Sequence, residues 1–70
     1  MEKRGNRVAY HEIVMPDGTV YHMGVLTLVD GRVTEVKTFH GELAMTVWRG
    51  GTAILQYDEE GRLFLAEEKA

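Results

Sequence analysis

The chain has 70 residues, no cysteine and a formal net charge of -3. A domain of this size buries only about 60% of the surface its unfolded chain exposes, so the core must be thin, and neither disulfides nor thiolate-held metal can brace it. The acidic balance excludes a general nucleic-acid binder, which needs a basic stripe. No run approaches the roughly 18 apolar residues of a membrane span, and the opening Met-Glu-Lys-Arg-Gly-Asn-Arg leads into no signal-like apolar stretch. The composition therefore predicts a cytoplasmic protein with no membrane partner and with self-association as the natural supplement to its small core.

Residues 1–6 are polar and expected to fray, residues 7–67 form a single β domain, and residues 68–70 read as a C-terminal tail. The first strand, Arg7 to Met15, is rich in β-branched and aromatic residues and stops at Pro16-Asp17-Gly18. Proline presets φ for the first central position of a turn and glycine accepts the left-handed one, so a type I turn with a glycine bulge follows. With Met15 opposite Thr19, Glu12 faces His22 and Tyr10 faces Gly24, where an aromatic ring can cover glycine backbone.

Thr19 to His40 reads as a long hairpin turning on Asp30-Gly31, because a two-residue type I′ turn needs φ > 0 at both central positions. The turn sets Val29 against Arg32, Leu28 against Val33, Val25 against Val36 and Gly24 against Lys37. At about 3.3 Å per residue the first arm would be roughly 36 Å long, more than the roughly 28 Å diameter of a compact domain of this length. It must bend, and Gly24 is the expected place. His40-Gly41 then turns into a strand over 42–49, Gly50-Gly51 reverses the chain into 52–57, and Asp58-Glu59-Glu60-Gly61 leads to 62–67. The fold expected is all-β: a six-stranded antiparallel meander curled into a small barrel or two-layer sandwich, with no helix longer than one turn.

Carrying the pairing across the turns places Ile13, Met15, Met23, Val25, Val36, Leu43, Met45, Val47, Ile54, Leu63 and Leu65 on a core face. The other face mixes Tyr10, Glu12, His22, Glu35, Lys37 and Glu42 with Val14, Val20, Leu26, Leu28, Phe39, Trp48 and Phe64. So many large apolar groups on an outer face point to a partner, with Leu26, Leu28, Phe39 and Phe64 as interface candidates. Closure of the barrel would bring the first and last strands together and place Arg7 near Glu67.

Candidate chemistry is sparse. His22 beside Glu12 could form a carboxylate–imidazole pair, although cross-strand polar pairs are ordinary sheet stabilisers. His40 fits a turn, and the three histidines lack any recognised metal-ligand spacing. Trp48-Arg49 before Gly50-Gly51 carries two residue types enriched among interface anchors. The chain has no serine, no nucleophile beside a base and no phosphate-binding loop, so no catalytic residue, metal or cofactor is expected.

Pro16-Asp17-Gly18-Thr19-Val20, Gly24-Val25-Leu26 and Asp30-Gly31-Arg32-Val33 together resemble the opening strands of the small β-sandwich that accompanies the amidohydrolase barrel. That family's metal-binding His-x-His motif has no counterpart here, so the resemblance implies a strand pattern and no activity. As a whole, with Tyr-His in the first strand, Pro-Asp-Gly, Asp-Gly-Arg-Val and the Trp-x-Gly-Gly-Thr turn, the chain resembles short uncharacterised single-domain bacterial all-β proteins. The leading expectation is a non-enzymatic binding or assembly module that forms a homodimer or takes a protein partner. The alternative is a small-molecule site on the barrel. Tyr10, Glu12, His22, Trp48 and Arg49 are the candidate binding residues.

Overall fold

A computed structural model describes residues 5–39, 41 and 46–69, which form six strands and no helix. These are β1 (Asn6–Val14), β2 (Val20–Val29), β3 (Arg32–Thr38), β4 (Thr46–Trp48), β5 (Thr52–Tyr57) and β6 (Leu63–Lys69). They make one sheet in the order β2-β3-β6-β5-β1-β4, and a further β1–β2 pairing closes β1, β2, β3, β6 and β5 into a small barrel with β4 as an extra strand. The expected all-β barrel is therefore what forms. The readings made for His40, Glu42, Leu43 and Met45 lie outside the described residues.

The turns follow the chemistry of their residues. At Pro16-Asp17-Gly18, the Gly18 N–H donates to the Met15 carbonyl at 2.9 Å and the Met15 N–H to the Thr19 carbonyl at 2.8 Å. Gly18 takes φ +91°, which a side chain would resist. Asp17 Oδ1 accepts the Thr19 N–H at 2.9 Å, and that bond holds its carboxyl below the usual carboxylate range. Asp30 and Gly31 both take positive φ, +53° and +80°, as a type I′ turn requires. In the 58–61 loop, Asp58 Oδ1 accepts the N–H groups of Glu60 and Arg62, each at 2.9 Å.

The β1–β2 register is the expected one throughout, with Glu12 opposite His22 and Tyr10 opposite Gly24. The β2–β3 hairpin keeps Val29↔Arg32 and Leu28↔Val33, then shifts by one residue to Thr27↔Glu35, Leu26↔Val36, Val25↔Lys37 and Gly24↔Thr38. The expected Val25–Val36 and Gly24–Lys37 pairings are thus displaced by a bulge at Thr34, whose hydroxyl donates to the Thr27 carbonyl at 3.3 Å.

The distortion of the long arm lies beside the expected residue. Met23 adopts φ +56°, while Gly24 serves a different purpose. A Cβ built on Gly24 would stand 2.3 Å from Ile13 Cδ1, so the glycine leaves room for a buried isoleucine.

The second half of the chain departs most from a simple meander. β4 and β5 both run parallel to β1, β4 along Arg7–Ala9 and β5 along Glu12–Val14. Gly50-Gly51 therefore does not reverse the chain. With φ +67° and +61° it kinks one strand direction past a step on the edge of β1, between Arg49 N–H to Ala9 carbonyl at 2.9 Å and Glu12 N–H to Gly51 carbonyl at 3.1 Å. Because β5 lies between β1 and β6, Arg7 and Glu67 are not neighbours: Arg7 stands opposite Thr27 and Thr46, Glu67 opposite Ile54. The β domain also extends beyond its expected limits, since Asn6 opens β1 and Glu68 and Lys69 continue β6.

The core is Val8, Tyr10, Ile13, Leu26, Val33, Ala53 and Leu55, with Met15, Leu28, Val36, Leu63 and Leu65 packed against it. Ile13, Met15, Val36, Leu63 and Leu65 were expected there. Met23 and Val47 were too, yet they are 41% and 59% exposed. Val47 lies on β4, outside the closed barrel, and Met23 sits opposite a break in alternation: Val8 and Tyr10 point inward, His11 and Glu12 do not, and Ile13 resumes the interior one residue out of phase. Tyr10, Leu26 and Leu28, assigned to the mixed face, therefore fill the barrel. Leu26, at 0% exposure, cannot serve as an interface residue, and Leu28 packs beside it.

Candidate functional site

Three groupings of side chains stand out around this barrel. The first is polar and lies on the outside of β1, β2 and β5. His22 Nδ1 is 3.5 Å from Glu12 Oε2, and the Thr52 hydroxyl donates to Glu12 Oε1 at 3.3 Å. The predicted Glu12–His22 pair thus forms, with Thr52 added by the parallel β1–β5 register. The His22 side chain is 74% exposed and that of Glu12 is half-buried, and an ion pair so open to solvent contributes at most about 1 kcal/mol.

The second is an aromatic shelf. The Trp48 and His11 rings stand nearly perpendicular, centroids 4.8 Å apart at 87°, and Phe39 meets Trp48 at 6.3 Å and 85°. Both are edge-to-face arrangements favoured by ring quadrupoles. Ala9, only 2% exposed although it belongs to no part of the core cluster, lines a cavity of about 150 Å³ with Phe39, Gly41, Thr46 and Trp48. Phe39 is tied to the bend in β2, its N–H donating to the Met23 carbonyl at 3.0 Å. Trp48 remains 50% exposed, so the shelf covers the barrel wall while keeping an aromatic face in water. Phe64, the remaining interface candidate, is half-buried on β6 opposite Gln56 and Arg32.

The third lies at the barrel mouth. The buried Tyr10 hydroxyl donates to Glu68 Oε1, while Arg49 Nη1 approaches the other carboxylate oxygen, Oε2, at 3.9 Å. Tyr10, Arg49, Gly50, Glu68 and Lys69 line a cavity of about 260 Å³. Beside it, a larger one of about 500 Å³ is lined by Gly5, Asn6, Arg7, Val8, Leu28, Val47 and Arg49. Arg49 borders both.

Tyr10 and Arg49, singled out in the sequence, are thus brought together, whereas Trp48 faces the shelf and Glu12–His22 sits elsewhere. The five candidates do not form one site. Glu68 was missed because it was read as part of a tail. Alternation from Leu63 and Leu65 would turn Glu67 inward instead; the register shift between Ile54 and Leu55 sets Glu68 opposite the buried Ala53, and no residue in β6 announces it.

Burial pushes the Tyr10 phenol well above its ordinary range, and the hydrogen bond to Glu68 and that carboxylate's charge push the same way, with Arg49 opposing. A phenol whose folded pKa is raised contributes stability that is fully present below the unfolded value, about 10, and lost as pH rises through the folded value. Wild type is therefore expected to lose stability above about pH 10. Tyr10→Phe should be less stable at pH 7 by about 1–2 kcal/mol, since Glu68 loses its donor, and should show a flatter alkaline limb. Urea unfolding followed by circular dichroism from pH 7 to 11 measures both; parallel pH profiles for the two proteins would refute the assignment.

Comparison with protein families, with curated proteins and with solved structures yields no match to this chain.

Proposed function

We propose that this domain is a non-enzymatic assembly module that forms a homodimer through its aromatic shelf. The observation that carries the reading is Trp48: a large aromatic, half in water, on the strand that lies outside the closed barrel, with the exposed Met23 and half-buried Phe39 alongside. Tryptophan is among the residues most enriched at the energetic centres of interfaces. A small core gains from burying such surface against a second copy, and a two-fold arrangement would set one shelf against its equivalent. The solvent-open setting of Glu12–His22 favours a structural role for that pair over acid–base chemistry, which works best in a site that restricts water.

Sedimentation velocity from 1 to about 200 μM, a range spanning transient and stable dimers, should show a concentration-dependent rise in sedimentation coefficient. Trp48→Lys should hold the protein monomeric across that range with its circular dichroism spectrum unchanged. A wild type that stays strictly monomeric, or a Trp48→Lys variant that dimerises equally well, would refute the proposal.

A further inference from the structure

The larger cavity at the barrel mouth combines an apolar lining with cationic residues. Its walls include Val8 and Leu28, which belong to or pack on the core, and Val47, which is 59% exposed; Arg7 and Arg49 lie among the same residues. At about 500 Å³ it falls within the range of small-molecule sites, roughly 300–1,000 Å³.

The charge arrangement is informative in a protein whose net charge is -3. Among the described residues Arg7 forms no ion pair, and Arg49 is engaged only at 3.9 Å. Glu68 does not depend on Arg49 for a partner, because the Tyr10 hydroxyl already donates to its other oxygen. Two guanidinium-bearing residues thus border apolar side chains with little internal neutralisation. This pairing suits an anionic head on an aliphatic body, since a carboxylate accepts parallel N–H bonds from an arginine while the tail covers Val8, Leu28 and Val47.

We propose that the barrel mouth is a binding site for small aliphatic monocarboxylates, with Arg49 as the residue that receives the carboxylate. The site lies apart from the Trp48 shelf and does not depend on dimerisation.

The probe is decanoate, titrated below its micelle concentration into ¹⁵N-labelled protein and followed by amide chemical shifts, with decylammonium and acetate as controls. Decanoate should shift Val8, Leu28, Val47 and Arg49 saturably, and decylammonium and acetate should bind at least about tenfold more weakly, lacking respectively the anion and the tail. Arg49→Gln, at a side chain 57% exposed and thus tolerant of change, should weaken decanoate about tenfold or more. Glu68→Gln, which removes a competing anion but can still accept from Tyr10, should tighten it. Equal binding of decylammonium, an unchanged affinity in Arg49→Gln, shifts confined to other surfaces, or no saturable binding would each overturn the proposal. Trp48→Lys should bind decanoate as wild type does, which separates this outcome from that of the dimer.

Discussion

Leu26→Ala is expected to lower stability by about 2–5 kcal/mol, with the loss independent of protein concentration. Leu26 is completely buried between β1 and β3, opposite Val8 and Val36. Removing its branched end leaves a cavity that the barrel cannot collapse to fill, because the strands around it are fixed by their ladders. At roughly 0.05–0.15 kcal/mol per residue, a domain of this length has only about 4–10 kcal/mol of total stability. The substitution therefore takes a large share of it, and the variant should be partly unfolded at 37 °C. Urea unfolding at two protein concentrations tenfold apart is the measurement. A small, concentration-dependent loss would instead place Leu26 at an interface, as the sequence pattern suggested, and refute the core packing described here.

Gly24→Ala should cost about 1–3 kcal/mol through overpacking, and Ile13→Val should partly relieve it. The new methyl would lie 2.3 Å from Ile13 Cδ1 and 3.0 Å from Cγ1, and Ile13 is fully buried with no room to retreat. Ile13→Val alone should cost about 0.5–1.5 kcal/mol. In the double variant the methyl that collides is gone, so the combined loss should fall short of the sum by at least about 0.5 kcal/mol. A thermodynamic cycle of the four proteins by chemical denaturation tests this. Strict additivity would mean that Gly24 is required by its backbone and not by Ile13.

The parts of the fold legible in the sequence are those governed by local chemistry. Pro16-Asp17-Gly18 and Asp30-Gly31 dictate their turns through φ alone, and the first of them sets the β1–β2 register correctly as far as Asn6↔Leu28. What local chemistry does not carry is the consequence of an extra residue. The bulge at Thr34 has no glycine to announce it, and the break in alternation at His11-Glu12 coincides with Met23, a non-glycine residue at positive φ. A one-residue slip inverts every side chain beyond it, which is why Tyr10 and Leu26 were read on the wrong face while their partners across the β1–β2 ladder were right.

The Gly50-Gly51 step failed for a different reason. Paired glycines announce positive φ, and positive φ is what they adopt, but whether such a pair reverses a strand or kinks it depends on which edge is waiting. Here the waiting edge belongs to β1, far back in the chain. The candidate site inherits both limits: Tyr10 and Arg49 were recognisable as residue types, whereas Glu68 joins them only through the long-range order that places β5 beside β1.

That order has a consequence for how the chain folds as well as for how it stands. β1 can pair with β2 as soon as the Pro16-Asp17-Gly18 turn forms, and β3 can follow, all from neighbouring sequence. Its opposite edge, however, pairs Ile13 with Ala53 and Val8 with Val47, so it stays open until β4 and β5 have arrived. Closure must meet the entropy of a long loop before the contacts reward it, which places this small domain among slow-folding topologies despite its size. During synthesis the nascent three-stranded sheet would carry an unpaired edge made of Val8, Ala9, Ile13 and Val14, and such an edge is a template for pairing with other chains. The step at Gly50-Gly51, which lets one short segment and then another lie along the same edge, allows the tail of the chain to cover it in two stages.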